Sequence, residues 1–326
     1  MLWLVNRWQT INIVSLALWP LSIIYCAIVV LRRFAYQTRV LKSYSVDLPV
    51  IVVGNITVGG TGKTPLVVWL ADWLKTRGHR PGIILRGYGG HSETWPRQVR
   101  AETSTDEVGD EAVLLLRRTA CPVVVAPDRV AAAQELVNNN DCTIIISDDG
   151  LQHYRLRRDY EISVVDGQRG YGNGFCLPAG PLREPAGRAR KANLVVINGK
   201  SEAGTPSMEV KPTAIRDMKS NEQVPLDKFK NRAVHAIAGI GNPARFFDTL
   251  RGIGAETTNH PFPDHHRFSE NDLDFGDNRD IIMTEKDAVK CVRFAGANCW
   301  VLEVEASPTP AMVEKLQTWV EETRVG

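Results

Sequence analysis

A glycine-rich segment that ends in Gly62-Lys63-Thr64 follows the apolar run 48–53 and precedes an amphipathic stretch that starts at Pro65. Glycines let successive backbone N–H groups turn toward a polyphosphate, and the following helix adds its positive N-terminal end. Lys63 would reach the outer phosphates, and the Thr64 hydroxyl would ligate Mg²⁺. The order of strand, glycine loop and helix therefore predicts a nucleotide-binding P-loop. The predicted nucleotide-binding residues are Thr57, Val58, Gly59, Gly60, Thr61, Gly62, Lys63 and Thr64.

Thr57 stands where a P-loop usually has its first glycine. The alternative interpretation is a glycine-rich turn without a chemical role. The apolar run before the loop and the amphipathic stretch after it disfavour that alternative, because they supply the strand and the helix that a phosphate-binding loop requires.

A second pattern is the hydrophobic run 143–147, which ends in the acidic pair Asp148 and Asp149. In P-loop proteins an acid at the end of such a strand helps to hold Mg²⁺. A turn capped by aspartate side chains is the alternative, and the nearby P-loop favours the metal role. The predicted Mg²⁺ ligands are Thr64, Asp148 and Asp149.

Phosphoryl transfer to an alcohol also needs a carboxylate or an imidazole beside the attacking hydroxyl, and two segments offer one. Asp110 and Glu111 begin a predicted helix, where acids complement the helix dipole, and spacing alone favours that structural role. Asp264, His265 and His266 lie in a loop where a carboxylate can orient a titrating histidine. A surface turn with two solvated histidines is equally consistent with that pattern.

The chain has 326 residues, of which 44% are hydrophobic and 23% are charged, and its formal net charge is +2. These values suit two ordinary domains and exclude a global electrostatic attraction to nucleic acid. The six cysteines have no zinc-type spacing, so reduced thiols in the cytosol are expected. The sequence indicates no obligatory protein partner.

The N-terminal segment 8–31 contains no charged residue and is followed at once by Arg32 and Arg33. A helix of this length rises about 1.5 Å per residue and could cross a hydrocarbon core of about 30 Å. The basic flank indicates the cytosolic side. A cleaved signal peptide is disfavoured, because no small-residue cleavage site follows. We expect a membrane anchor rather than a core helix, and both a spanning and an interfacial position fit the sequence.

Apolar runs typical of strands alternate with helical patterns after the anchor, which predicts a parallel sheet with ligands at the carboxyl ends of its strands. A long basic loop rich in Gly and Pro lies at residues 167–190, and loops of this length are usually functional. The predicted strands are 50–54, 82–85, 122–126, 143–147, 161–165 and 194–198, and the predicted helices include 107–118 and 128–138.

A polar segment at residues 201–222 is predicted to connect this part to a second domain. The second domain has predicted strands at 233–238, 280–284 and 300–304 and predicted helices at 244–250 and 311–322. The expected fold class is α/β, with a P-loop NTPase-type parallel sheet domain, a smaller second α/β domain and an N-terminal membrane-associated helix. The expected boundaries are 1–40 for the anchoring helix, 41–200 for the P-loop domain, 201–222 for the linker and 223–326 for the second domain.

Several motifs together resemble the tetraacyldisaccharide 4′-kinase family, the lipid A disaccharide kinases of Gram-negative bacteria. The motifs occur in the same order over nearly the whole chain. Together they are specific, whereas among the single motifs only the P-loop is specific by itself. The motifs are residues 54–65, Arg86-Gly87-Tyr88-Gly89, Val108-Gly109-Asp110-Glu111, Asp148-Asp149-Gly150-Leu151-Gln152-His153, residues 178–185, residues 238–243, Asp264-His265-His266 and Thr284-Glu285-Lys286-Asp287.

The resemblance implies Mg²⁺-dependent transfer of the γ-phosphate of ATP to the 4′-hydroxyl of a tetraacyldisaccharide 1-phosphate, which forms lipid IVA. It implies an enzyme associated with inner membrane lipids, at the cytoplasmic face of the bacterial inner membrane. It also implies two α/β/α domains joined by a small β linker, with the site in the cleft between them. Thr57 in place of glycine is ordinary under this resemblance.

The resemblance also implies roles for single residues. Asp110, supported by His265, accepts the hydroxyl proton, in place of the helix-dipole role that spacing alone favours. The basic loop around Arg183 and Arg188 is expected to meet the substrate's own phosphate, because guanidinium forks suit phosphate oxygens. The expected catalytic residues are Lys63, Asp110, Asp149 and His265, and the expected substrate-binding residues are Arg86, Gln152, His153 and Arg183.

A membrane-localised switch ATPase of the deviant P-loop type is the alternative function. Its loop carries a signature lysine near the start, whereas this chain has Thr57 and Val58 there. A nucleotide-binding scaffold without activity is a third hypothesis, and acceptor-dependent ATP turnover separates the three.

Overall fold

The computed structural model describes residues 7–324, and a single thirteen-stranded sheet runs through them. The strands are β1 (Val50–Gly54), β2 (Pro81–Leu85), β3 (Arg97–Val99), β4 (Val123–Val125), β5 (Ile144–Asp148), β6 (Tyr160–Asp166), β7 (Leu194–Asn198), β8 (Ser207–Asp217), β9 (Gln223–Val224), β10 (Ala233–Ala238), β11 (Glu256–Pro261), β12 (Asp280–Thr284) and β13 (Cys299–Pro308). The α-helices are α1 (Ile13–Gln37), α2 (Lys63–Lys75), α3 (Thr105–Val108), α4 (Asp110–Thr119), α5 (Arg129–Asn139), α6 (Pro243–Gly252), α7 (Glu285–Cys291) and α8 (Pro310–Arg324).

The strand order places β1 in the middle of the N-terminal half of the sheet, between β5 and β6. The full order is β11-β10-β12-β13-β8-β7-β6-β1-β5-β2-β4-β3, with β9 paired to β8. All pairs are parallel except β3 with β4, β8 with β9 and β8 with β13. The register sets Val53 beside Asp148, so the P-loop and the acidic strand end leave the same edge of the sheet.

The α/β class predicted from the sequence is confirmed, and four strands have their predicted bounds. Those strands are β1, β7, β10 and β12. The other predicted strands differ at their ends. The helix predicted at 107–118 is interrupted at Gly109, where a φ of +87° ends α3 and lets α4 begin at Asp110. This break places Asp110 in the first turn of a helix that points toward the cleft.

The segment 201–222, which we predicted as a polar connection, contains the 11-residue strand β8. This strand pairs with β7 on one side and with β13 on the other, so it continues the sheet from one half of the molecule to the other. Most of its residues are only half-buried, which explains why the sequence shows no apolar alternation there. The edge strands β3 and β11 are also absent from the prediction. The division into domains at 41–200 and 223–326 stays a prediction.

Helix α1 packs on the globular body through one face. The Ser22 hydroxyl donates to the Cys176 carbonyl at 2.7 Å, and the Tyr25 hydroxyl donates to the Arg183 carbonyl at 3.1 Å. Among residues 7–324, α1 is the helix long and apolar enough to cross a membrane by length and composition. The rest of the anchor predicted at 1–40 includes residues 1–6, which lie outside the described part. The exposed large apolar side chains of α1 are Ile13, Leu16, Trp19, Leu21, Ile23, Ile24, Ile28, Val30, Leu31 and Phe34.

Candidate active site

The predicted P-loop connects the end of β1 to the first turn of α2 and has the backbone of a phosphate cradle. Gly59 and Gly62 have φ values of +98° and +85°, which favour glycine. A side chain at Gly62 would also collide with the Asn198 amide. Within residues 7–324, the backbone N–H groups of the loop from Gly59 to Gly62 donate no hydrogen bond, so they are free to bind an anion.

Lys63 extends from the loop to the acidic strand end. Its Nζ lies 3.0 Å from Asn55 Oδ1 and 3.3 Å from Asp149 Oδ1. The Arg183 guanidinium contacts the other oxygen of Asp149 at 2.9 Å. Burial raises the pKa of Asp149, but Lys63 and Arg183 outweigh this effect and hold the pKa well below the usual range of a carboxyl. Asp149 is therefore ionised and bound to two cations.

Asp148 has the opposite electrostatic environment. Its side chain is buried, and burial together with the Glu111 carboxylate raises its pKa to about 7, although Lys63 opposes the shift. Within residues 7–324, Asp148 Oδ1 accepts no hydrogen bond. Such a buried oxygen has the chemistry of a cation ligand, because a bound cation would compensate its lost hydration.

The donors around Asp148 fit Mg²⁺. The Thr64 hydroxyl lines the same cavity, and oxygen donors are the ligands that Mg²⁺ prefers. Within the described residues no three His, Cys, Asp or Glu side chains converge as a metal site. Mg²⁺ does not need three such side chains, because it is usually held by one or two protein oxygens together with phosphates and water.

Asp110 and His265 form a pair that connects the two halves of the molecule. His265 Nδ1 lies 3.1 Å from Asp110 Oδ2, and Lys290 Nζ lies 3.7 Å from the same oxygen. Burial raises the pKa of Asp110, but the combined effect of His265 and Lys286 outweighs burial, so the net shift is downward. Burial lowers the pKa of His265, but the hydrogen bond to Asp110 together with the negative charges of Asp110 and Asp264 outweighs burial, so the net shift is upward. The helix-dipole role that spacing favours for Asp110 is thus accompanied by a direct contact with an imidazole.

The turn after β10 brings the second half of the chain against the P-loop. Gly241 approaches Gly60 so closely that a side chain at Gly241 would meet the Gly60 backbone nitrogen at 2.9 Å. Asn198, at the end of β7, joins the two halves, since its Nδ2 donates to the Thr61 carbonyl at 2.9 Å and its Oδ1 accepts from Arg245 at 3.1 Å. The position of the P-loop is therefore tied to α6.

One cleft of about 940 Å³ collects most of the predicted site residues. Its lining includes the P-loop from Val58 to Thr64, both strand-end acids and His265. Thr57 does not line the cleft. Its carbonyl accepts a hydrogen bond from Asn55 Nδ2 at 2.8 Å. Asp110 does not line it either, since it lies buried behind His265. Residues of α1 complete the lining with Tyr25, Val29 and Arg32.

The four predicted substrate-binding residues all line this cleft but differ in their freedom to bind. Arg86 is exposed and makes no ion pair within residues 7–324. Arg183 is paired with Asp149, and the Gln152 amide donates to Glu184 at 2.8 Å. Burial, followed by the Arg129 charge, lowers the pKa of His153 to about 3, so His153 is neutral at physiological pH.

Sequence analysis did not identify Asn55, Asn198 or Arg245 as site residues. Asn55 and Asn198 carry a weak signal, because each lies at or just after the carboxyl end of a parallel strand, where ligands bind. Arg245 carries none, since its contact depends on how α6 meets β7.

Comparison with known proteins agrees with this geometry. The family model described as tetraacyldisaccharide-1-P 4′-kinase matches residues 14–321. A tetraacyldisaccharide 4′-kinase of Alkalilimnicola ehrlichii is 53% identical over 302 residues, which are 92% of this chain and 91% of that protein. A relative with the same name from Pseudomonas aeruginosa is 46% identical over 297 residues, or 90% of each chain.

A solved structure gives the same result for the fold. The crystal structure of LpxK from Aquifex aeolicus, in complex with ATP, has a TM-score of 0.80 and 30% identity to this chain. The match covers 94% of this chain and 98% of that one. The family match spans both halves of the sheet and the N-terminal helix, so the resemblance inferred from the motifs is confirmed. This chain belongs to the tetraacyldisaccharide-1-P 4′-kinase family and is a kinase.

Proposed function

We propose that this chain transfers the γ-phosphate of ATP to the 4′-hydroxyl of a tetraacyldisaccharide 1-phosphate, at the cytoplasmic face of the bacterial inner membrane. One observation carries the proposal. Tyr25, Val29 and Arg32 of the apolar helix α1 line the same cleft as Lys63 and His265. A phosphate cradle, a proton acceptor and a lipid-facing helix thus share one cavity, as phosphorylation of a lipid headgroup requires.

The phosphate cradle holds the donor. The free N–H groups from Gly59 to Gly62 bind phosphate oxygens, and Lys63 moves from Asp149 and Asn55 to the transferring group, whose charge it neutralises. Mg²⁺, when bound by Thr64 and Asp148, supplies further positive charge to the phosphate oxygens. Asp149 then remains paired with Arg183.

The Asp110–His265 pair takes the proton of the acceptor. The 4′-oxygen forms a bond to the γ-phosphorus while the bond to the bridging oxygen of ADP breaks, and the hydroxyl proton passes to the pair. His265 faces the cleft and Asp110 lies behind it, which supports a pair that acts as a unit. Asp110 orients the imidazole and stabilises its charged form.

The acceptor is expected to meet the side chains between α1 and the P-loop. Arg86 makes no ion pair within residues 7–324 and suits a phosphate or a sugar hydroxyl. The neutral His153 and the Gln152 amide suit sugar hydroxyls, because both can donate and accept hydrogen bonds.

Helix α1 supports an interfacial position of the anchor. The middle of α1 contacts the polar backbone of the loop at Cys176 through Ser22, and Trp8 contacts the Pro178 carbonyl at 3.1 Å. A helix that crossed the bilayer would carry this irregular backbone into hydrocarbon, where polar groups lack partners. An α1 that lies in the interface buries only its exposed apolar face.

Acceptor-dependent turnover tests the proposal. The purified chain should convert ATP to ADP only when the tetraacyldisaccharide 1-phosphate is added, with one labelled phosphate transferred per ADP formed. Turnover without acceptor would instead indicate the switch ATPase, and nucleotide binding without any turnover would indicate the scaffold.

A further inference from the structure

A second cavity, of about 450 Å³, lies at the C-terminal end of α1 and is distinct from the active-site cleft. Arg33 and Tyr36 of α1 line one side of it, and Arg157, Arg158 and Arg188 line the other. The phosphoryl-transfer chemistry described above uses none of these residues.

Two carboxylates also line the cavity, and both are already engaged. Asp159 Oδ2 accepts the Val50 N–H at 2.8 Å. Glu161 Oε1 accepts from Arg158 at 3.0 Å and from Arg188 at 2.7 Å. Four arginines against two acids leave a formal net charge of +2 in the lining.

Part of this positive charge has no partner. Within residues 7–324, Arg33 and Arg157 make no ion pair. Arg188 is paired with Glu161 at 2.7 Å and lies 3.8 Å from Glu184, but its buried Nη1 donates no hydrogen bond within the same residues. Arg188 is only 3% exposed, so this nitrogen cannot be satisfied by bulk water. A buried guanidinium nitrogen that lacks an acceptor is a site for an anion, and phosphate oxygens match its geometry.

The cavity lies where the apolar outer face of α1 ends. Arg33 comes two residues after the uncharged run 8–31, whose outer face is exposed and apolar. Lipid phosphates lie where such an apolar surface ends, and basic residues at this level face anionic lipids. The hydroxyl groups of Tyr36 and Ser45 add donors for phosphate oxygens to the lining.

We propose that this cavity binds the phosphate of an anionic membrane phospholipid. Tyr154 lines both this cavity and the cleft and therefore separates them, so a lipid bound here leaves the nucleotide site open. Such a lipid holds the C-terminal end of α1 at the membrane surface and orients the cleft toward the acceptor. The inference does not depend on the phosphoryl-transfer mechanism.

Vesicle flotation of the full chain tests the proposal with two matched double variants. Arg33→Gln with Arg157→Gln removes two charges from the cavity, and Arg39→Gln with Lys42→Gln removes two exposed charges from the same flank outside it. Both variants lose diffuse attraction to vesicles that contain phosphatidylglycerol. The cavity variant should bind them about tenfold more weakly than the control variant, because it also loses a fixed phosphate site. Equal losses of binding by the two variants would overturn the proposal. It would also be overturned if the unmodified chain bound pure phosphatidylcholine vesicles as tightly as vesicles that contain phosphatidylglycerol.

Two further probes distinguish the sources of the phosphate. In calorimetry, short-chain phosphatidylglycerol should bind the unmodified chain more tightly than inorganic phosphate, and the reverse order would overturn a lipid site. In phospholipid-free detergent micelles, the cavity variant should keep the acceptor KM. A raised acceptor KM with unchanged vesicle binding would assign the cavity to the substrate's own phosphate and overturn the proposal. Absence of transfer by the unmodified chain would count against the proposed function alone.

Discussion

His265 Nδ1 lies 3.1 Å from Asp110 Oδ2, although 155 residues separate the two in the chain. Asp110 begins α4 in the N-terminal half, and His265 lies in the loop after β11 in the other half. The pair exists only where the halves meet, so the proposed proton acceptor is complete only in this arrangement. The P-loop is held at the same junction through Asn198. The phosphate-binding loop and the proposed proton acceptor therefore both depend on how the two halves pack together.

The rate of phosphoryl transfer should depend on pH through His265. The pKa of His265 is raised, and the imidazole must be neutral to accept a proton, so transfer should fall as the pH drops through a value above the usual 6.5 or so. Asp110→Asn should lower kcat by about 10²- to 10⁴-fold and move the inflection to lower pH. Steady-state transfer across the pH range measures both effects. An inflection that does not move in the variant contradicts the pair.

Lys63→Met should reduce kcat by about 10²- to 10³-fold, because a charge that stabilises the transferring group is lost. The fold should persist, since Asp149 keeps its contact with Arg183. Labelled-phosphate transfer measures the loss. Lys75→Met, at the other end of α2, is the matched control and should leave kcat unchanged. Comparable losses in both variants would point to a damaged helix rather than to chemistry.

Asp148→Asn should abolish the stabilisation of the folded chain by Mg²⁺. In the absence of Mg²⁺, however, the variant should be more stable than the unmodified chain. The folded-state pKa of Asp148 is raised to about 7, whereas an unperturbed aspartate titrates at about 3.9, so the stability that its neutral carboxyl contributes at low pH is lost as the pH rises from about 4 to about 7. At pH 8 the variant should have a free energy of unfolding about 1–3 kcal/mol above that of the unmodified chain, because it removes a buried uncompensated charge. Chemical denaturation with and without Mg²⁺ measures both results. A destabilised variant at pH 8 contradicts this account of Asp148.

Asn198→Ala should weaken ATP binding by about 5- to 150-fold, which corresponds to about 1–3 kcal/mol for an unsatisfied buried group. The variant leaves both the Thr61 carbonyl and the Arg245 guanidinium without their partners. Arg245→Ala is the control, since it removes one contact and keeps the hydrogen bond to the P-loop. Calorimetry with a non-hydrolysable ATP analogue should rank Asn198→Ala as the weaker binder. Equal affinities for the two variants would show that the contact with Thr61 is unimportant.

Ile24→Glu with Ile28→Glu should release the chain from vesicles without changing nucleotide affinity. Both side chains are exposed on the outer face of α1, and each apolar side chain that enters lipid contributes roughly 1.5–3 kcal/mol. Val292→Glu changes an exposed apolar residue on the globular body and serves as the control. Co-sedimentation with vesicles measures the difference. Retained binding by the α1 variant would mean that another surface carries the membrane contact.

Much of the fold followed from local patterns. The apolar runs that form β1, β7, β10 and β12 are mostly buried and pair with parallel neighbours, so their composition predicted their bounds. Strand β8 is half-exposed along most of its length and pairs with β13, more than 80 residues away, so no local pattern marks it.

The sequence by itself determined the chemistry that resides in one contiguous segment. The P-loop needs a strand, glycines with left-handed backbone and a Lys-Thr pair, and all of these are encoded within residues 48–65. The tertiary structure alone decided which distant groups share that site. The contacts of Asp110 with His265 and of Asn198 with Arg245 join the two halves of the molecule, and the sheet order and the packing between these halves create them. Such contacts produce no periodic pattern in the sequence, because the residues next to each partner in the chain do not depend on the distant partner.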